Sequence, residues 1–225
     1  MAKEIDFGII QITTAPSRKN ISRMIDLKNE VIPACVEASK GNYTLVSPEN
    51  RRLKEVVESL GGTFLEYSAW EKDKSRKFRD GLRTRSEEWI GFWDDDIIPD
   101  SEWRANIDEF LQDAPPAQYG FRLTDRMGHR HEFGEDWMQF PNQSLGLRHR
   151  GLRYDVETGY IERSPTCYVS NSIVHRDVYR MVEPFGIFQQ APDVGWSFAI
   201  KDAGFDVGFI LSARALHIGN RKDNR

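Results

Sequence analysis

Two cysteines in 225 residues, Cys35 and Cys167, are too few for a disulfide framework or a zinc site. Each sits among small or apolar neighbours (Pro33-Ala34-Cys35-Val36 and Pro165-Thr166-Cys167-Tyr168-Val169), the setting of a buried thiol. No apolar run approaches the roughly 18 residues that a membrane-spanning helix needs, and Met1-Ala2-Lys3-Glu4 lacks the apolar middle of a signal peptide; the expected address is cytoplasmic. A formal net charge of −4 over 29% charged residues excludes a global attraction to nucleic acid or anionic membrane, so any polyanion contact has to be local. Repeats and low-complexity segments are also missing. What is there is 39% apolar and 12% aromatic, in a length that suits one domain with a sizeable core.

One stretch organises the rest. Trp89-Ile90-Gly91-Phe92-Trp93 is a short apolar and aromatic run, the pattern of a buried strand, and it ends abruptly in Asp94-Asp95-Asp96 before Ile97-Ile98-Pro99-Asp100. Acids at the carboxyl end of a strand lie where ligands bind in open α/β sheets. Adjacent carboxylates repel one another unless something positive lies between them, and a hard divalent cation is the usual answer. The plain alternative is an acidic turn in solvent. Asp100 or Ser101 can cap a following helix whose apolar face is Trp103, Ile107, Phe110 and Leu111.

Strands and helical patterns alternate through the first half. Phe7–Thr13 reads as a strand and Thr14-Ala15-Pro16-Ser17-Arg18 as a turn; helical spacing then runs through Ile21, Met24, Ile25 and Lys28, with a break or restart at Pro33 and a stop at Gly41-Asn42. Tyr43–Ser47 is a second strand, and Leu53, Val56, Val57 and Leu60 form a helix face ended by Gly61-Gly62. Thr63–Tyr67 is a third strand, and the polar segment from Lys72 to Ser86 a helix with Phe78 and Leu82 inward. This spacing predicts βαβ units and a mixed, mostly parallel central sheet with helices on both faces. Residues 1–112 then form a nucleotide-binding half.

Residues 113–225 form the second half, expected to face the acceptor. Gln118–Thr124 is a strand, and 125–165 an irregular insertion read as a hairpin excursion. In and beside it Arg122, Arg126, Arg130, Arg148, Arg150 and Arg153 cluster with His129, His131 and His149, which reads either as an electrostatic patch for a phosphorylated or nucleic-acid acceptor or, with Asp125, Glu132, Glu135, Asp136 and Asp155 interleaved, as a solvated mixed surface, the favoured reading. Thr166–Val174 is apolar and small. His175-Arg176-Asp177 opens a helix with Val178, Met181 and Val182 inward, and Asp193 can cap another in which Trp196, Ile200 and Ala203 share a face. Phe205–Leu211 and Ala213–Gly219 read as two further strand-like runs, the second carrying His217 before a basic tail with Arg221, Lys222 and Arg225.

In that order these motifs resemble a GT-A fold glycosyltransferase, closest to the family 2 group of nucleotide-sugar enzymes. Three segments carry the resemblance: Phe92–Pro99; Asn171–Tyr179; and Pro192–Phe198 with Gly204–Phe209 through His217. The chain departs from the family's pattern at Ser47-Pro48-Glu49, where an Asp often reads the nucleobase, at Arg79-Asp80-Gly81, and at Pro192, where a Glu usually precedes the catalytic Asp. The resemblance implies a metal-dependent transfer from a nucleotide-diphosphate sugar, a UDP-sugar first, to a hydroxyl acceptor on a glycan, lipid-linked precursor, protein or modified nucleic acid. The anomeric centre is expected to invert.

Pyrophosphate departure is eased by bound Mn²⁺ or Mg²⁺ as a Lewis acid. Asp96 is the first-choice ligand and His217 the terminal one that the resemblance implies; a lone His among apolar residues is otherwise a core or edge residue. Asp94 or Asp95 then meets the ribose or a metal-bound water, with Asp94 also a candidate metal ligand. An acceptor hydroxyl needs a base within hydrogen-bond reach, and Asp193 is that candidate, a role compatible with helix capping. Thr13, Thr14, Pro16 and Arg18 occupy the loop after the first strand, the expected nucleotide shelf or else an ordinary turn. Arg79 is a candidate for the pyrophosphate or base. Two rivals stand beside this reading: a non-catalytic nucleotide- or glycan-binding module of the same fold, and a metal-dependent nucleotidyltransferase. The latter usually has a Gly-rich loop after its first strand, and Ile12–Arg18 contains no Gly.

Overall fold

Phe7-Gly8-Ile9-Ile10-Gln11-Ile12 is buried on both sides, as a central parallel strand must be, and it forms β1 (Phe7–Ile12) inside the main sheet. The computed structural model describes residues 4–13, 21–68, 73–124, 126, 135–139, 145–149, 160–161, 171–183 and 192–218; Thr14, Pro16, Arg18, Cys167 and the basic tail lie outside them. On either side of β1 lie β2 (Tyr43–Pro48) and β4 (Trp89–Asp94), both parallel to it, and β3 (Thr63–Tyr67) runs parallel beyond β2. Past β4 the direction reverses. The strand β10 (Asn171–His175) is antiparallel to both β4 and β6 (Ala117–Thr124), and β11 (Asp206–His217) is parallel to β6. Two short strands, β5 (Ile97–Pro99) and β9 (Tyr160–Ile161), pair antiparallel with β11. The order is β3-β2-β1-β4-β10-β6-β11-β5, so the mixed, mostly parallel sheet is as expected. Within the stretch 125–165, β7 (Glu135–Gln139) and β8 (Leu145–His149) pair antiparallel with Trp137 opposite Leu147.

Helices cover both faces. One core unites Phe7, Ile9, Leu45, Trp93 and Phe121 of the sheet with α1 (Ile21–Asp26), α2 (Ile32–Ala38), α3 (Arg51–Ser59) and α5 (Trp103–Leu111). The other joins Ile10, Ile12, Val46 and Phe92 to α4 (Lys74–Leu82), α6 (Arg176–Met181) and α7 (Pro192–Asp202). Trp103 sits at the centre of the first, with its ring 5.1 Å from Trp93, 5.3 Å from Phe121 and 5.6 Å from Phe7.

Several details differ from the sequence expectation. The restart expected at Pro33 takes an unexpected form: Leu27–Val31 is a π-helical turn between α1 and α2, which begins at Ile32 with Pro33 in its first turn, and the Ile32 N–H reaches the Leu27 carbonyl. The wider turn makes room for a ring that has no N–H to donate and would press on the carbonyl four residues back. Met181 is 67% exposed and only Val178 and Val182 of its trio are buried: α6 ends at Met181 and Val182 already has extended backbone, so the trio does not share one helix face. Ala203 is exposed beyond the end of α7, whose buried residues include Trp196 and Ile200. The last two strand-like runs are one strand, β11, with an irregularity between Ile210 and Arg214. There β11 advances from Ile210 to Arg214 while β6 advances only from Phe121 to Arg122, and Asn106 Nδ2 on α5 donates to the Ser212 carbonyl at 3.0 Å. Arg122, read as part of a solvated surface, is buried, since it belongs to β6, whose residues are buried on both faces up to Leu123.

Gly81 sets how closely α4 lies on the sheet. A Cβ at this position would stand 2.6 Å from Ile10 Cγ2, a branch fixed near the backbone of β1. Alanine's helix propensity is worth up to about 1 kcal/mol over glycine, but overpacking a core costs about 1–3 kcal/mol. Gly81→Ala is therefore expected to be net destabilising by about 1–2 kcal/mol in urea unfolding, the reverse of the helix-propensity expectation.

Candidate active site

The acid turn is built by two strands from distant parts of the chain. Trp93 and Phe92 fix β4 in both cores, so the strand delivers Asp94 at its carboxyl end, and the backbone then turns through Asp95 and Asp96 into β5. Three residues are too few to hold a strand alone. Here β11 supplies the partner: Ile97, Ile98 and Pro99 stand opposite His217, Leu216 and Ala215, and the Ile218 N–H donates to the Asp96 carbonyl at 2.9 Å. That register places His217 Nε2 3.3 Å from Asp96 Oδ2. Asp100 then accepts from the Glu102 N–H at 3.1 Å, which starts α5.

The three acids point in different directions. Asp95 is 5% exposed and its Oδ2 accepts from the Thr13 hydroxyl, so the structure joins these two predicted nucleotide contacts to each other in the interior. Asp94 is half-buried, with its two carboxylate oxygens 3.2 and 3.3 Å from Lys74 Nζ. Burial pushes the Asp94 carboxyl above its usual range; Lys74 opposes this, and the charges of Asp96 and Asp95 add to it. Lys74 was missed in the sequence reading. The available signal was a first helical turn with no acid and with Lys74, Arg76 and Lys77 at the end where positive charge is unfavourable. Arg79, on the same helix, pairs instead with Glu183 after α6 at 3.2 Å. The Ser47 hydroxyl donates to the Pro48 carbonyl at 2.9 Å, turned onto its own backbone.

Beneath the turn lies a buried polar network. Gln11 Nε2 donates to the Asp94 carbonyl at 2.8 Å, Gln11 Oε1 accepts from the Tyr43 hydroxyl at 2.6 Å, and Cys35 Sγ lies 3.6 Å from the Ile97 carbonyl. Burial pushes the Cys35 thiol and the Tyr43 phenol upward, so both remain protonated donors, and Cys35 is the inert buried thiol its context suggests.

Asp193 lies in the first turn of α7, whose first residue is Pro192; it is inside the helix rather than its cap. The helix is fixed over β4 by Trp196, with its ring 5.2 Å from Phe92 and its Nε1 donating to the Val182 carbonyl at 3.4 Å. A cavity of about 350 Å³ at the amino ends of β1 and β2 is the far end of the sheet from the acids. Its cations are engaged: Lys40 pairs with Glu4 at 2.6 Å, and Arg104 with the Ile5 and Ala38 carbonyls and Asp108.

Among the described residues no group of three His, Cys, Asp or Glu side chains is placed to hold a metal. The Asp96–His217 pair nevertheless fits a small divalent ion that takes its other ligands from phosphate and water. Such ions commonly use one or two carboxylates, and a 3.3 Å spacing suits neighbouring donors at about 2.0–2.2 Å from one ion. No helix among the described residues is long and apolar enough to cross a membrane.

No family model and no curated protein sequence matches the chain. Solved structures do. GalNAc-T7, crystallised with UDP, GalNAc and Mn²⁺, matches with a TM-score of 0.67 at 11% identity over 96% of this chain and 43% of that one; this chain thus spans less than half of that neighbour. The inositol-1-phosphate CTP transferase from T. maritima matches with a TM-score of 0.62 at 14% identity over 99% of this chain and 93% of that one. These likenesses show the fold, a Rossmann-like, GT-A-type α/β domain.

Proposed function

We propose that the chain transfers a sugar from a nucleotide-diphosphate donor, a UDP-sugar first, to a hydroxyl acceptor, with the donor's diphosphate held at the acid turn. The observation that carries this is the convergence of Asp96 and His217 across the β5–β11 pairing, at the carboxyl end of the sheet where ligands bind. The neighbour crystallised with UDP, GalNAc and Mn²⁺ supports it. Asp96 and His217 would hold Mn²⁺ or Mg²⁺, and the bound ion would stabilise the negative charge that grows on the leaving diphosphate. Lys74 keeps Asp94 in place and offers a cation to the same phosphates. Thr13 and Asp95 hold the turn from inside, and Thr14, Pro16 and Arg18, next in the sequence, would contact the nucleotide. Asp193 takes the proton of the acceptor hydroxyl as it attacks, giving inversion. Measuring UDP release from a panel of UDP-sugars with Mn²⁺ tests the reading; no release and no nucleotide binding with any donor would sink it.

Lys74→Gln is expected to raise the donor KM about tenfold while leaving Mn²⁺ affinity intact, since one charge-assisted phosphate contact is worth about 1.5–3 kcal/mol. An unchanged KM would remove Lys74 from the phosphate site. A second reading, nucleotidyl transfer, draws on the CTP transferase, because this chain spans almost all of it. Incubation with CTP or UTP and a sugar phosphate, followed by ³¹P NMR, separates the two. Pyrophosphate as the product would favour the second reading.

A further inference from the structure

Each residue of the acid turn has its own anchor in the protein. The Asp94 carbonyl is held by Gln11, the Asp95 carboxylate by Thr13, the Asp96 carbonyl by the Ile218 N–H, and the Ile97 carbonyl by Cys35. Gln11 serves two of these four. Its amide donates to Asp94, and the same Nε2 lies 3.8 Å from Cys35 Sγ, which reaches Ile97, so one side chain grips both ends of the turn. It is itself fixed by the Tyr43 hydroxyl on its Oε1. Gln11 is 0% exposed, on a strand whose other side chains are apolar, between Ile9 and Leu45 in the first core. A buried amide there is destabilising unless its hydrogen bonds are made, and leucine or methionine would fill the space without that requirement.

We infer that Gln11, backed by Tyr43, is a positioning residue for the acid turn: it fixes the backbone so that Asp94 faces Lys74 and Asp96 faces His217 while Asp95 turns inward to Thr13. Three acids in sequence could be rotated by one place, and the separate partners of Asp94, Asp95 and Asp96 depend on the peptide planes around Asp95 being held. Gln11 holds the one before Asp95, the Ile218 N–H holds the one after Asp96, and through Cys35 Gln11 also reaches the next, after Ile97. The inference rests on the acid turn being the donor site proposed above. Its test is chosen so that the two can fail separately.

The variant is Gln11→Met with Tyr43→Phe, which removes the amide and the hydroxyl together, so that neither is left facing the other's apolar replacement, and releases the Asp94 carbonyl; Tyr43→Phe alone is the milder comparison, since Gln11 can still donate to Asp94. Hydrogen exchange across residues 94–98 is measured without ligand, and Mn²⁺ affinity by calorimetry. Expected are faster exchange confined to the turn, a melting temperature close to wild type, and Mn²⁺ binding weakened about 10–100-fold, the range seen when a group behind a metal ligand is lost. Donor turnover should fall more than donor KM rises. Tyr43→Phe should lie between wild type and the double variant. Unchanged exchange at the turn overturns the inference, and so does faster exchange with unchanged Mn²⁺ affinity, which would leave Gln11 a structural residue only. Should wild type itself bind no Mn²⁺, the donor-site reading fails, and exchange alone decides whether Gln11 sets the turn.

Discussion

Asp96→Asn is expected to abolish measurable Mn²⁺ binding and lower donor turnover about 10³-fold, some 4 kcal/mol of transition-state stabilisation, while the protein stays folded. The fold survives because the Asp96 backbone is held by the Ile218 N–H and by the β5–β11 pairing, neither of which involves the carboxylate, and asparagine has the same shape. Stability should if anything rise. Burial first, and then the charges of Asp96 and Asp95, make ionised Asp94 costly, and the substitution removes one of those charges. Lost function with equal or greater stability is the mark of a group kept for its ligand rather than for packing. Calorimetry with Mn²⁺, urea unfolding and UDP release give the three readings. Intact cation affinity and turnover in Asp96→Asn would end the proposed mechanism.

Wherever a local pattern decides the outcome, the sequence was legible. Apolar runs of five or six residues, alternating with helical spacing and punctuated by Gly41 and Gly61, both at positive φ, gave β1 to β4 and the helices between them. The acid-bearing strand end could be read because Trp89–Trp93 is apolar on both faces and then stops. What escaped depends on partners far along the chain. Ile97–Pro99 is a strand only because Ala215–His217 lies beside it, and that same pairing brings His217 to Asp96. Gln11 looks like an ordinary polar interruption in β1 until Tyr43, Cys35 and the Asp94 carbonyl are seen round it. Lys74 carried a local sign, a basic first helical turn, but its reach to Asp94 needed the packing of α4 on β1 through Gly81. Asp95 was grouped with its neighbours because three identical residues give no hint of which one turns inward.

Asp193→Asn is the second large effect, and it separates catalysis from architecture. A base that removes the acceptor proton contributes about 10²–10⁴-fold, so turnover should fall by that factor with donor KM and Mn²⁺ affinity unchanged. The reason for expecting no binding defect is spatial. Asp193 belongs to α7, carried on the second core by Trp196 against Phe92, and stands outside the Asp96–His217 pair that the β5–β11 pairing brings together. A purely structural Asp193 would act differently: an acid in the first turn of a helix is worth about 0.3–1 kcal/mol through the helix dipole, so its amide would lower stability slightly and leave turnover alone. Unfolding in urea and UDP release with water as acceptor therefore move in opposite patterns under the two roles. A turnover equal to wild type, with stability reduced by the dipole contribution, would assign Asp193 to the helix and leave the base to be found elsewhere.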